Sequence, residues 1–144
     1  AGEVGEILAR MRVQRSGQAF LVQPLFESVL SEGEWSFIFV DGVLTHTLLK
    51  KPAAGDYRAH GIYGGTTVAV QPHLEDVRQA QTILAKLPFD LLYARLDLVR
   101  IDGAFAVMEL ELIEPILYFA LAPAGVGRLV TATLRRVGRL LDDQ

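Results

Sequence analysis

Apolar residues recur at helical spacing in three stretches of the chain. Residues 4–13 repeat them every three or four positions, residues 74–87 do the same just before Pro88, and residues 123–141 carry the longest apolar stripe. Such spacing places apolar side chains on one face of a helix. The pattern therefore predicts three amphipathic helices, and the first and last of them lie near the two ends of the sequence.

Two Asp-Gly pairs are each flanked by runs of β-branched and aromatic residues. The pairs are Asp41-Gly42 and Asp102-Gly103. Two such runs on either side of Asp-Gly are the strongest short-range signal for a β-hairpin. The sequence therefore predicts two hairpins, and their strands are residues 34–40, 43–50, 91–101 and 105–113.

Three further segments complete the predicted architecture. The apolar run at residues 19–26 is typical of a buried strand, with Pro24 at its end or on an edge because proline cannot donate to a ladder. Residues 68–70 can form a short strand, and the glycine-rich residues 52–66 form a long loop, usually a functional feature. We expect one α+β domain over residues 1–144, with a mainly antiparallel sheet and helices packed on one side.

The composition favours an ordered domain and excludes several classes of function. The 144 residues are 51% hydrophobic and 22% charged, which allows a sizeable core. A net charge of −3 gives no basic field for nucleic acid, and no apolar run is long enough to span a bilayer. The absence of cysteine excludes thiolate chemistry and is compatible with a cytoplasmic location. We expect small-molecule partners, and neither nucleic acid nor membrane.

The residues most suggestive of chemistry lie in the second predicted hairpin. Glu109 and Glu111 alternate with leucines and so share one face of their strand, as Arg95 and Asp97 share one face of the preceding strand. Neighbouring carboxylates in an apolar strand repel and are partly desolvated, which raises their pKa. A bound Mg²⁺ relieves both effects. An ordinary solvent-facing strand gives the same alternation, so alternation alone leaves both interpretations open.

The register of this hairpin decides whether the carboxylates face one another. With an odd number of loop residues, for instance three, Asp97 pairs with Glu109 and Arg95 pairs with Glu111. A two-residue turn instead places Asp97 opposite Met108, on the wrong face. The metal hypothesis therefore predicts either an odd loop or a β-bulge.

The second hairpin is the last of several short motifs that occur in a fixed order. Its own contribution is Ala94-Arg95-Leu96-Asp97-Leu98-Val99 followed by Glu109-Leu110-Glu111. The upstream motifs are Leu21-Val22-Gln23-Pro24-Leu25-Phe26, Gly33-Glu34-Trp35-Ser36, Val40-Asp41-Gly42-Val43, and Gly55-Asp56-Tyr57-Arg58 with Gly64-Gly65 after them. In this order, over about residues 20–118, the set resembles the ATP-grasp fold and, within it, the glutathione synthetase branch.

The resemblance implies a role for each matched position. It implies that Asp97, Glu109 and Glu111 hold two Mg²⁺ ions that bridge the phosphates of ATP. Arg58 and Arg95 are the implied catalytic residues, with Arg58 facing the transferred phosphoryl group or a substrate carboxylate. The implied nucleotide-binding residues are Gln23, Pro24, Leu25 and Phe26 at the adenine, Glu34 at the ribose, and His60, Gly64 and Gly65 around the loop over the substrate.

The activity that the resemblance implies is an ATP- and magnesium-dependent carboxylate–amine ligase. A substrate carboxylate attacks the γ-phosphorus of ATP, and an amine then captures the acylphosphate. The N-terminal and lid regions of the full fold, whose lysines contact the phosphates, are expected to be absent from residues 1–144. Lys50 and Lys51 are poor substitutes for those lysines. This C-terminal catalytic portion is therefore expected to be weakly active or inactive alone.

Two other interpretations remain open. The last metal position is usually Asn in this family and here it is Glu111, whose extra charge should bind Mg²⁺ more tightly but offset less phosphate charge. Glu111 and the missing lysines favour a non-catalytic nucleotide- or ligand-binding module derived from the ATP-grasp fold. The apolar composition and the amphipathic terminal helices favour instead a structural dimerisation domain, and they keep a homodimer open under every interpretation.

Overall fold

The computed structural model describes residues 2–20, 22–59 and 63–142. Within these residues the fold is α+β, with an antiparallel sheet and helices, so the predicted class and architecture are confirmed. None of the helices in this described part is long and apolar enough to cross a membrane. The elements in chain order are α1 (Gly2–Gln14), α2 (Glu27–Ser31), β1 (Glu34–Val40), β2 (Val43–Lys51), β3 (Thr66–Val70), α3 (Leu74–Leu84), β4 (Tyr93–Ile101), β5 (Ala104–Glu111) and α4 (Ala124–Asp142).

The five strands form one sheet in the order β3-β2-β1-β4-β5, and every neighbouring pair is antiparallel. β1 is the central strand, and β4 lies beside it. Residues 36–40 of β1 and 94–99 of β4 are all buried. A polar side chain in these two strands is therefore removed from water and needs a partner inside the protein.

The apolar core lies between one face of the sheet and α3. Phe37 and Phe39 of β1 pack with Leu96 and Leu98 of β4, and Ala80 contributes the helix side of the cluster. Alternation along β1 sends the neighbouring residues, Ser36 among them, to the opposite face. One face of the sheet therefore holds the core, and the other carries the polar residues described below.

Both predicted hairpins are present, and both turns have two residues. Asp41 and Gly42 have φ values of 52° and 72°, and Asp102 and Gly103 have values of 50° and 81°. Two consecutive positive φ angles match the type I′ turn, for which Asp-Gly is a preferred sequence. The odd loop that we considered for the second hairpin is therefore wrong, since Ile101 pairs directly with Ala104.

In the apolar run at residues 19–26, the described residues, which do not include Leu21, form no strand. Its described residues are irregular, and Val22 and Leu25 are exposed. Apolar composition gives a strand only where a neighbouring strand supplies hydrogen-bond partners, and Pro24 has no N–H to donate. The short helix α2, which begins at Glu27, was not predicted, because five residues are too few to show a helical period.

Candidate active site

A β-bulge in the β4–β5 ladder brings the predicted acidic residues to one face of the sheet. The register shifts by one residue after Asp97, so Met108 is the extra residue on β5. A bulge of this kind redirects every side chain beyond it. The bulge therefore meets the condition that the metal hypothesis set for this hairpin. The resulting cross-strand pairs are Asp97–Glu109 and Arg95–Glu111.

Asp97 lies at the bottom of this group, and both of its carboxylate oxygens accept hydrogen bonds. Ser36 Oγ donates to Oδ1 at 2.6 Å, and Lys50 Nζ donates to Oδ2 at 2.9 Å. Arg95 Nε donates to both oxygens, at 3.2 and 3.0 Å. The side chain is only 1% exposed. Ionised carboxylates are buried at such positions only when they are paired in this way.

Lys50 joins two of the predicted acidic residues. Its Nζ lies 3.0 Å from Glu34 Oε1 and 2.9 Å from Asp97 Oδ2, and the residue is 2% exposed. Burial acts to lower the pKa of the Lys50 ammonium, but Asp97 and Glu34 outweigh burial and raise it. Lys50 is therefore a charged member of the site. From the sequence, Lys50 is expected only as a poor substitute for lysines elsewhere in the full fold.

Arg95 lies among three carboxylates. Its Nη2 is 3.0 Å from Asp97 Oδ2 and 3.5 Å from Glu109 Oε2, and it donates a hydrogen bond to Glu111 Oε1. Burial acts to lower the pKa of the guanidinium, but Asp97 and then Glu111 outweigh burial and raise it. The guanidinium is thus the cation around which this part of the site is arranged.

Glu109 and Glu111 are the solvent-facing members of the site. Their side chains are 53% and 29% exposed, against 1% for Asp97. With Arg95 and Tyr118 they line an open cleft of about 690 Å³. Burial, followed by the charges of Glu111 and Asp97, raises the pKa of Glu109, and Arg95 and Lys50 oppose this only in part. The expected effect of crowded carboxylates on pKa is thus present at Glu109.

The segment after β5, residues 112–118, lines the same cleft. Arg95 Nη1 donates to the Ile116 carbonyl at 3.4 Å. The Tyr118 ring lies 5.9 Å from Lys50 Nζ, and Tyr118 has a left-handed φ of 52°. A tyrosine in this conformation is sterically disfavoured. The contacts tie the segment to both basic residues of the site.

The donor chemistry of the cleft fits a magnesium ion. Among residues 2–20, 22–59 and 63–142, no group of three or more His, Cys, Asp or Glu side chains is arranged as a metal cluster. Glu109 and Glu111 nevertheless offer hard carboxylate oxygens to an open cleft, and Mg²⁺ usually binds one or two carboxylates while keeping several waters. The oxygens of Asp97 are engaged by Ser36, Lys50 and Arg95. Residues Glu109 and Glu111 therefore fit the ion best.

The other predicted residues are not joined to this group by any described contact. Arg58 pairs with Asp56 at 2.6 Å and lies 3.6 Å from the Tyr63 ring centroid, so its contacts stay within the glycine-rich loop. The Arg58 guanidinium lowers the pKa of Asp56. His60 lies outside the described residues. The remaining predicted positions are Gln23, Pro24, Leu25 and Phe26 in the irregular segment before α2, and Gly64 and Gly65 just before β3.

Two residues of the site, Ser36 and Lys50, were not singled out from the sequence. Ser36 could have been, since a serine inside the apolar run of β1 must find a buried partner. The sequence gives a weaker indication for Lys50. A two-residue turn alone pairs Glu34 with Leu49, and only a bulge after Ile38 shifts the partner to Lys50. Bulges in both hairpins thus set the composition of the site.

Solved structures of a synthetase and of a ligase are similar to this chain. The D-cycloserine synthetase DcsG is 30% identical with a TM-score of 0.59, and the match covers 79% of this chain and 41% of that one. The D-alanine–D-alanine ligase from Bacillus anthracis, complexed with ATP, is 12% identical with a TM-score of 0.60, covering 96% and 48%. This chain has the ATP-grasp fold. The resemblance inferred from the ordered motifs is thereby confirmed at the level of the fold.

This ATP-grasp chain spans less than half the length of either ligase, 41% and 48% respectively. No protein-family model matches it, and no curated protein matches it in sequence. The assignment to the glutathione synthetase branch therefore stays a prediction. So do the roles of the individual site residues.

The raised pKa of Glu109 predicts a pH-dependent stability. A folded-state pKa above the ordinary value of 4.5 means that ionising Glu109 destabilises the fold. The favourable contribution of the protonated form is complete below the ordinary pKa and is lost as pH rises through the raised one. We therefore expect Glu109→Gln to raise the melting temperature at pH 7 relative to wild type.

The advantage of Glu109→Gln should disappear below about pH 4, where the wild-type carboxyl is protonated in both states. Thermal unfolding between pH 3.5 and 8 measures it. Glu114→Gln removes an equal charge from a residue that lines the same cleft, and it controls for net charge. An equal gain in Glu114→Gln, or a gain from Glu109→Gln that persists at pH 3.5, would contradict the assignment to Glu109.

Proposed function

We propose that this chain is the catalytic portion of an ATP- and magnesium-dependent ligase that joins a small-molecule carboxylate to an amine through an acylphosphate. The observation that carries the proposal is the group of Glu34, Asp97, Glu109 and Glu111 around Lys50 and Arg95, in a chain with the ATP-grasp fold. A synthetase and a ligase, the latter with ATP, share that fold. The proposal extends to the glutathione synthetase branch and to a cytoplasmic protein.

Each group of the site has a separate task under this proposal. Glu109 and Glu111 would hold magnesium at the cleft, and Asp97 would be the third, buried carboxylate of the metal site. Bound magnesium neutralises charge on the phosphates of ATP. Lys50 supplies a positive charge to both Asp97 and Glu34, because it pairs with both. Arg95 offers guanidinium N–H groups to a phosphoryl oxygen, and such preorganised donors stabilise charge that develops during transfer.

Positions outside the cluster complete the proposed site. We assign adenine binding to residues 23–26, ribose binding to Glu34, and contact with the phosphoryl group or a substrate carboxylate to Arg58. Loop residues His60, Gly64 and Gly65 would cover the substrate. The support for these assignments is the order of the sequence motifs.

The experiment that tests the proposal is calorimetry of ATP binding with and without Mg²⁺. Binding is the appropriate quantity because the chain covers less than half of either ligase. We expect Mg²⁺-dependent ATP binding in wild type, weakened about tenfold or more in Glu109→Gln/Glu111→Gln, since even indirect changes around bound metals cost about 10–100-fold. Glu114→Gln is the matched control and should bind as wild type does.

Two results would count against the proposal. One is ATP binding that is indifferent to Mg²⁺, and the other is equal binding by wild type and the double variant. Circular dichroism of every variant ensures that a loss of binding is not a loss of fold. Asp97 is left unchanged in this test because its substitution would leave Lys50 and Arg95 without their shared buried partner.

A non-catalytic nucleotide-binding module is the second candidate. The observation that favours it is the pairing of Glu111 with Arg95, which engages a proposed metal ligand and a proposed catalytic residue with each other. Trapping with hydroxylamine discriminates the two, because an acylphosphate gives a hydroxamate. ATP binding with no hydroxamate from any offered carboxylate would favour the module.

A further inference from the structure

The guanidinium of Arg95 is the cation that pairs with the proposed metal ligands. Its Nη2 contacts Glu111 Oε1 and lies 3.5 Å from Glu109 Oε2. The same nitrogen is 3.0 Å from Asp97 Oδ2, while Nε donates to both Asp97 oxygens. A divalent cation bound by Glu109 and Glu111 would need lone pairs that this guanidinium uses.

We propose that Arg95 is the counter-ion that a divalent cation must displace from Glu111, so that Arg95 sets the metal affinity of the site and reaches a phosphate only once the metal is bound. This inference rests on the proposed function and adds a role for one residue. The replacement of Arg95 by the metal at Glu111 is a local change. The two hydrogen bonds from Nε to Asp97 can stay in place while the Nη2 contact with Glu111 is given up.

The released end of the guanidinium needs a new anion, because an unpaired buried cation is strongly disfavoured. Once Glu109 and Glu111 both bind the metal, its remaining contacts at Nη1 and Nη2 are the Ile116 carbonyl and Asp97. A phosphate oxygen in the cleft supplies the missing negative charge. Metal binding and phosphate binding would therefore each increase the affinity of the site for the other, since such coupling is reciprocal.

Lys50 does not have this role, although it too joins two carboxylates. Its partners are Glu34 and Asp97, and the ammonium is 2% exposed. Arg95 instead lines the cleft together with Glu109 and Glu111. Of these two basic residues, Arg95 is therefore the one that competes directly for the solvent-facing carboxylates.

The test is a calorimetric titration of Mg²⁺, without nucleotide, into wild type, Arg95→Lys and Arg100→Lys. Lysine keeps the positive charge but lacks the separate nitrogens, Nε and Nη2, with which the forked guanidinium donates to Asp97 and to Glu111. We expect Arg95→Lys to bind Mg²⁺ roughly tenfold more tightly than wild type. Arg100 also pairs with two carboxylates, Glu32 at 3.2 Å and Asp76 at 3.0 Å, so its lysine variant should bind as wild type does.

Unchanged or weaker Mg²⁺ binding by Arg95→Lys, with normal binding by wild type, would overturn this inference and leave the proposed function standing. Weaker binding would mean that Arg95 orients Glu111 for the metal. If wild type bound no Mg²⁺ in either titration, the one without nucleotide and the one with ATP, both proposals would be overturned.

A measurement on the unaltered protein covers the case in which Arg95→Lys does not fold. Arginine labelled with ¹³C at Cζ reports the surroundings of each guanidinium by NMR. Saturating Mg²⁺ should shift the Arg95 signal and leave that of Arg100 in place. An Arg95 signal that does not move at saturating Mg²⁺ would overturn the displacement.

Discussion

Replacing Lys50 with methionine should destabilise the protein by about 3–5 kcal/mol. The substitution removes the shared partner of Glu34 and Asp97, and Asp97 is almost fully buried. Breaking a buried ion pair from one side is strongly destabilising because the remaining charge stays desolvated. Urea unfolding at pH 7 measures the free energy of unfolding for wild type and variant. Globular domains have a total stability of about 5–15 kcal/mol, so the loss should be easily resolved.

The neighbouring lysine provides the control for Lys50→Met. Lys51 is exposed at the end of β2, and Lys51→Met should change stability by about 0.5 kcal/mol or less. Adding Glu34→Gln to Lys50→Met removes a carboxylate that the first substitution leaves without its salt-bridge partner, and it should restore part of the loss. Equal effects of the two single lysine variants would show that Lys50 is not paired as described.

The charge balance of the site links this stability to its proposed chemistry. Four carboxylates, those of Glu34, Asp97, Glu109 and Glu111, surround two basic residues, which leaves a formal charge of −2. Lys50 and Arg95 pair with the buried carboxylate of Asp97, and the excess negative charge lies at the exposed carboxylates of Glu109 and Glu111. An excess of that size and position suits a divalent cation. Burial first, and then the same excess of negative charge, raises the pKa of Glu109.

The sequence was most informative where local chemistry decides the structure. Asp41-Gly42 and Asp102-Gly103 each predicted a hairpin correctly, because a type I′ turn needs two residues that tolerate positive φ. Alternation along β5 correctly placed Glu109 and Glu111 on one face. Local patterns could not place residues 19–26, whose conformation depends on whether another segment supplies hydrogen bonds.

The bulges are the main reason why the site could be predicted only in part. Thr45 in β2 and Met108 in β5 are the extra residues, and neither has a side chain that marks it as such. Without these bulges Glu34 would face Leu49, and Asp97 would face Met108. From the sequence, a bulge could be named as a condition for the metal hypothesis. Only three-dimensional packing decides at which residue the pairing register shifts.

Replacing Phe37 with alanine should destabilise the protein by about 3–5 kcal/mol, the usual loss for a buried phenylalanine. Phe37 is fully buried, stacks on Trp35 with ring centroids 6.2 Å apart, and meets the edge of Phe105 at 5.6 Å. Urea unfolding measures the loss, and Phe37→Leu should lose less because it leaves a smaller cavity. Phe89→Ala, at an exposed position, is the control and should have little effect.

Phe37→Ala also tests whether the core and the site are independent, because Phe37 and Ser36 point to opposite faces of β1. At a temperature where the variant is still folded, its Mg²⁺ affinity should therefore equal that of wild type. Lys50→Met, which acts on the polar face, should change both stability and metal affinity. If Phe37→Ala also altered the metal affinity, the two faces of the sheet would be coupled. The packing of the core on α3 would then help to position the side chains around Asp97, together with their own ion pairs.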